Sequence, residues 1–122
     1  MEARDLMVGD WVVYNGDVDY INPIKIEGMD IATGMCVTTD RDDVGFDGVW
    51  PIPLTAEILE KNGFEKCRIK EIEYFGWRLN EDFSLELNAV DTLMWNDDVA
   101  IHYVHQLQHA LRLCGIDKEI TL

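Results

Sequence analysis

Turn-forming residues interrupt the first half of this chain so often that no long helix fits there. Gly9-Asp10, Asn15-Gly16-Asp17, Gly28, Gly34 and the acidic run from Asp40 to Asp43 leave short segments between them, and such residues favour chain reversal over helical propagation. The segments themselves are made of β-formers. LMVGDWVVY at 6–14 is rich in β-branched and aromatic side chains, with Gly9-Asp10 as a kink or turn, and Ile24 and Ile26 alternate with lysine and glutamate. GFDGVWPIPL holds one more strand, which Pro51 and Pro53 confine to an edge or an end, because proline has no N–H to give a ladder. Short strands broken about every 8–12 residues predict a small, bent antiparallel β-structure over 1–54, SH3-like in type.

After residue 54 the pattern changes. Thr55 is placed to N-cap a helix near 55–62, with Glu57 in its first turn, Ile58 and Leu59 facing inward and Gly63 as its stop. Residues 67–79 and 83–87 read as strands joined by a turn at Asn80-Glu81-Asp82. Phe83, Leu85 and Leu87 alternate with Ser84 and Glu86, which implies a sheet with one wet face. Leu93 to Trp95 reads as a further strand. A helix near 102–114 should carry Tyr103, Val104, Leu107, Ala110, Leu111 and Cys114 on one face, and Gly115 should stop it. His102, His105, His109 and Arg112 then fall on the opposite side. The expectation is a single α+β domain over 1–122: a mainly β half at 1–54, then helix, β-meander and C-terminal helix over 55–122, both helices packed on sheet. A chain of 122 residues with 48% apolar side chains can fill one such core.

Charge removes several functions. Ten Lys plus Arg against twenty-four Asp plus Glu give a net −14, which repels phosphate backbones and disfavours both direct nucleic-acid binding and anionic membrane surfaces. The same charge suits a basic protein partner, a divalent cation, or mimicry of nucleic acid. No apolar run approaches the roughly 20 residues that span a bilayer, and the N-terminal residues lack the pattern of a signal peptide; a cytoplasmic location is expected. Cys36, Cys67 and Cys114 form no C-x-x-C pair and read as small hydrophobes in a reducing compartment.

Four features invite chemistry. His105 and His109 in HQLQH have the spacing of a helical zinc pair. Gln106, however, stands where a metalloprotease needs a carboxylate to take a proton from water, and Arg112 is a repulsive neighbour for a cation. The acidic loop 40–47 fits a calcium loop at Asp40, Asp42 and Gly45 but not at Val44 or Pro51, so it reads as a solvated loop, with an adventitious surface calcium contact as the lesser alternative. Ser84 lies in no nucleophile elbow, and Cys114 sits at a helix C-terminus, where the dipole disfavours a thiolate. Trp11, Trp50, Trp77 and Trp95 fall in strands as core residues, with Trp50, just before Pro51, the one best placed to line a peptide or ligand groove. No cofactor motif is present, and catalysis is not expected.

Three blocks, DLMVGDWV, PIPLTAEILEKNGF and YVHQLQHALRLCG, together roughly a third of the chain, resemble in content and order a family of small proteins from Bacteroides-group bacteria and their phages and mobile elements. The resemblance implies such an origin and no particular activity. Many members read H-Q-L-Q-N in the last block, so His109 departs from the pattern while His105, Gln106, Leu107 and Gln108 match it. The functional expectation is a non-enzymatic cytoplasmic protein-interaction module of phage or mobile-element origin, monomeric or weakly self-associating. It would bind a protein partner through His105, Gln106, His109, Arg112 and Trp50, with the alternative that His105 and Gln106 cap sheet edges or loops inside the fold. An acidic nucleic-acid mimic that blocks a basic groove is the second reading. A metal-binding or enzymatic domain, with His105 and His109 as the candidate ligands, is the third.

Overall fold

The computed structural model describes residues 6–70, 74–87, 93–95 and 99–122. It is an α+β structure whose chain divides into two compact units, Met1–Ile52 and Pro53–Leu122.

The first unit contains β1 (Trp11–Tyr14), β2 (Ile24–Asp30), β3 (Met35–Thr38), β4 (Val44–Gly45) and β5 (Val49–Pro51), with a 3₁₀ turn at Phe46–Gly48 between the last two. All pair antiparallel, in the order β4-β3-β2-β1-β5. β2 serves two neighbours: Ile24 and Lys25 face β1, and Ile26 to Asp30 face β3. A register shift between Ile26 and Gly28 falls where the strand changes partner, as a bulge that bends a sheet does. The proline-bounded strand β5 lies at a sheet edge, as its sequence requires.

Leu6, Val12, Ile24, Ile26, Cys36, Val44, Phe46 and Val49 form the buried cluster of this unit, with Tyr14 and Met29 packed against it. The expected strand over 6–14 starts only at Trp11, because Gly9-Asp10 takes the turn of its two expected forms, and a polar one. The Asp10 side chain is fully buried, and its Oδ2 accepts the Met7 N–H at 2.8 Å. The Asp10 N–H reaches the Met7 carbonyl, and the turn is tied to β2 by Gly9 N–H to the Ile26 carbonyl and Ile26 N–H to the Asp10 carbonyl.

The second unit holds α1 (Ala56–Lys61), β6 (Glu65–Lys70), β7 (Tyr74–Asn80), β8 (Phe83–Leu87), β9 (Leu93–Trp95), β10 (Val99–Ile101) and α2 (Val104–Leu113). Its strands form an antiparallel meander in chain order. Thr55 caps α1, its Oγ1 accepting the Ile58 N–H at 3.3 Å, and Gly63 leaves the helix at φ +86°, a left-handed conformation that glycine adopts without penalty. Asn80 Oδ1 accepts the N–H groups of Asp82 and Phe83 and so closes the β7–β8 turn. The expected strand over 67–79 is instead the hairpin β6–β7, with Glu65 opposite Arg78; its reversal lies outside the described residues. β10, which pairs with β9, is a strand that the sequence pattern does not announce.

Phe64 meets Phe83 edge-on and Phe83 stacks on Trp95, while Val104, Leu107, Ala110 and Leu111 of α2 are buried. Cys114, expected on that buried face, is exposed, because the helix ends at Leu113 and Gly115 turns away at φ +69°. Among the described residues, no helix is long and apolar enough to cross a membrane.

Candidate binding site

α2 does not present its histidines as the wheel predicts. His105 is 4% exposed, its ring stacked on Tyr103 at a centroid distance of 5.8 Å and met edge-on by His109 at 5.6 Å. The reason is the width of the buried arc. His105 lies about 100° from Val104, and the helix is covered far enough round to bury both His105 and Gln108. His105 is therefore corrected from an outer-face contact to an interior residue. Gln106 has a structural task as well. Its Oε1 accepts the N–H groups of His102 at 2.7 Å and Tyr103 at 3.1 Å, the reach-back half of a capping box at the helix start.

His109 is half-buried and Arg112 is exposed. Of the five expected contact residues, His105 and Gln106 lie in the first turn of α2, His109 meets His105 from one turn further on, and Arg112 lies further along the same helix. Trp50 belongs to the first unit, half-buried on the edge strand β5 opposite Val13. Among the described residues, no three His, Cys, Asp or Glu side chains converge as a metal ion would need.

Two features of the first unit were not legible as sites. The first is the loop joining β1 to β2. Gly16 turns at φ +100°, and Asp17 then pins the residues beyond it: its Oδ1 accepts the Ile21 N–H at 3.1 Å and its Oδ2 the Asn22 N–H at 2.9 Å. Tyr20 sits at φ +54°, a conformation rare for an aromatic residue and held here by its N–H bond to the Asp17 carbonyl. The loop is thus shaped by its own hydrogen bonds, yet its apolar side chains face water: Val18 is 65% exposed, Ile21 69% and Tyr20 41%.

The second feature is a cavity of about 430 Å³ between the β2–β3 hairpin and the acidic loop. Gly28, Met29, Met35, Cys36 and Val37 supply its apolar side, and Asp30, Asp42 and Asp43 bring carboxylates to it. Asp30 is held in place by accepting the N–H groups of Ala32 and Thr33. The rest of the acidic loop is engaged elsewhere. The Tyr14 hydroxyl donates to Asp40 and shares a 2.6 Å hydrogen bond with Thr38 Oγ1. The Arg41 guanidinium lies over the Tyr14 ring, 4.3 Å from its centroid. Burial, and then the bond to Asp40, push the Tyr14 hydroxyl above the ordinary tyrosine value of 10.0. Burial likewise raises the Cys36 thiol and keeps it protonated at neutral pH.

Comparison of the chain with protein-family models, with curated proteins and with solved structures returns no match.

Proposed function

We propose that this chain is a non-enzymatic protein-interaction module acting in the cytoplasm, and that it engages its partner through the β1–β2 loop. The observation that carries this reading is the display of Val18, Tyr20 and Ile21 on a loop fixed by Asp17. Apolar side chains held in water on a preorganised backbone lose little further entropy when a partner covers them, and apolar residues at the centre of a contact supply most of its affinity. The strand order β4-β3-β2-β1-β5, with a 3₁₀ turn before β5, supports an SH3-like description of this unit, although a fold assigns no partner by itself. The three sequence blocks support an origin in phages or mobile elements of Bacteroides-group bacteria.

The test is capture from a lysate of such a bacterium at low and high salt. The wild type is run beside a Val18→Ser/Ile21→Ser double variant and an Arg112→Ala variant. The expected result is a protein retained by the wild type at high salt, lost by the loop variant and kept by Arg112→Ala. Nucleic-acid-binding proteins recovered only at low salt, and equally by all three, would overturn this in favour of mimicry, since charge-driven contacts are screened and apolar ones are not.

A further inference from the structure

We propose that the cavity of the first unit receives the side chain of a lysine on a basic segment of the partner protein. This inference rests on the interaction-module reading and names the chemistry of a second contact within it. The lining offers both kinds of surface that a lysine needs. Met29 and Met35 bring flexible thioether surface that suits a four-carbon stem, and Asp30, Asp42 and Asp43 bring carboxylates to the same lining for the ammonium. At about 430 Å³ the cavity lies within the span of pockets that hold small organic groups.

Other occupants fit less well. A divalent cation calls for several oxygen ligands converging at short range, and no such convergence of three acidic or other metal-ligating side chains exists among the described residues. A methionine-lined wall offers a hard cation nothing. A phosphate or a carboxylate would meet three aspartates and a chain carrying −14. The sole basic residue of the 39–43 loop, Arg41, is drawn over the Tyr14 ring, and Tyr14 does not line the cavity. The net charge also steers basic segments toward the protein and raises their rate of encounter.

The experiment is a titration followed by NMR of chain labelled with ¹³C at the methionine methyl groups. The probe is lysine blocked at both ends, as N-acetyl-lysine N-methylamide. Saturable shifts are expected at Met29 and Met35 in the millimolar range, with Met7 and Met94 unmoved. The blocked norleucine compound, which keeps the stem and lacks the charge, should fail to saturate. An Asp42→Asn/Asp43→Asn variant should bind at least about tenfold more weakly, the scale on which charge-assisted hydrogen bonds contribute. Both aspartates are exposed, so the variant should fold as the wild type does.

Three results would overturn the proposal: Met29 and Met35 unmoved by the lysine compound, equal binding by norleucine or by the asparagine variant, or the same shifts produced by calcium and not by lysine. The Val18→Ser/Ile21→Ser variant should titrate like the wild type. Failure at the cavity therefore leaves the loop reading standing, and failure of the capture experiment leaves the cavity reading to be judged by its own titration.

Discussion

The two units are each built on five antiparallel strands, yet they hold their irregular segments by different means. In the second unit a buried amide does the holding. Asn62 is 3% exposed; its Nδ2 donates to the carbonyls of Ile58 and Thr121, and its Oδ1 accepts the Thr121 N–H at 2.7 Å. That pairing ties the final residues to the end of α1, where Ile120 is buried. In the first unit a loop fixed by Asp17 leaves Val18, Tyr20 and Ile21 exposed. Burying a bonded amide confers definition at little net cost. Exposing isoleucine forgoes the stabilisation its burial would give, and a fold gains nothing from that unless something else covers the side chain. The contrast is between a buried tie in the second unit and an exposed loop held by its own hydrogen bonds in the first.

The largest effect should come from truncating a buried side chain of the second unit. Leu107→Ala removes a side chain with no exposed surface and should lower stability by roughly 3 kcal/mol, the middle of the range for buried leucine. Ile21→Ala, a truncation of like size, should change it by less than about 0.5 kcal/mol. Urea denaturation followed by tryptophan fluorescence reads both, and comparable losses would break the contrast. Next in size is Asn62→Ala, which strands the Thr121 N–H and carbonyl and should cost about 2 kcal/mol. Asn62→Asp should be no better, since a carboxylate cannot donate to the Ile58 and Thr121 carbonyls; a neutral Asn62→Asp would show that Asn62 does not hold the tail.

The smallest effect belongs to the first unit. Tyr14 titrates above its unfolded value of 10.0 in the folded chain. The folded state therefore holds that proton more tightly, and the associated stability is present below pH 10 and lost as pH rises through the raised value. Alkaline difference absorbance should show a late-titrating tyrosine that Tyr14→Phe removes. A curve unchanged by that substitution would detach Tyr14 from Asp40.

Local chemistry was the legible part of this chain. Thr55, Gly63 and Asn80-Glu81-Asp82 each act through residues a few positions away, so the sequence contains nearly the whole interaction. The alternation at Phe83, Leu85 and Leu87 placed β8 for the same reason. What failed depended on partners distant in the chain. His105 looks like a surface residue until the width of the covered arc on α2 is known. Asn62 reads as an ordinary helix-end residue until Thr121 is seen opposite it. The cavity joins residues 28–37 to 42–43, and no periodicity announces that.

Strand order has a further consequence, in the time domain. Every pairing within the second sheet joins strands that are neighbours in the chain, whereas the first sheet must bring Val12 to Pro51 and Tyr14 to Val49. Closing so long a loop costs entropy before any contact rewards it, and chains dominated by such distant pairings search more slowly. During refolding the meander should therefore gain its amide protection first. The unit that bears the exposed loop and the cavity should complete last, with the annealing of β5 along β1 as its final step.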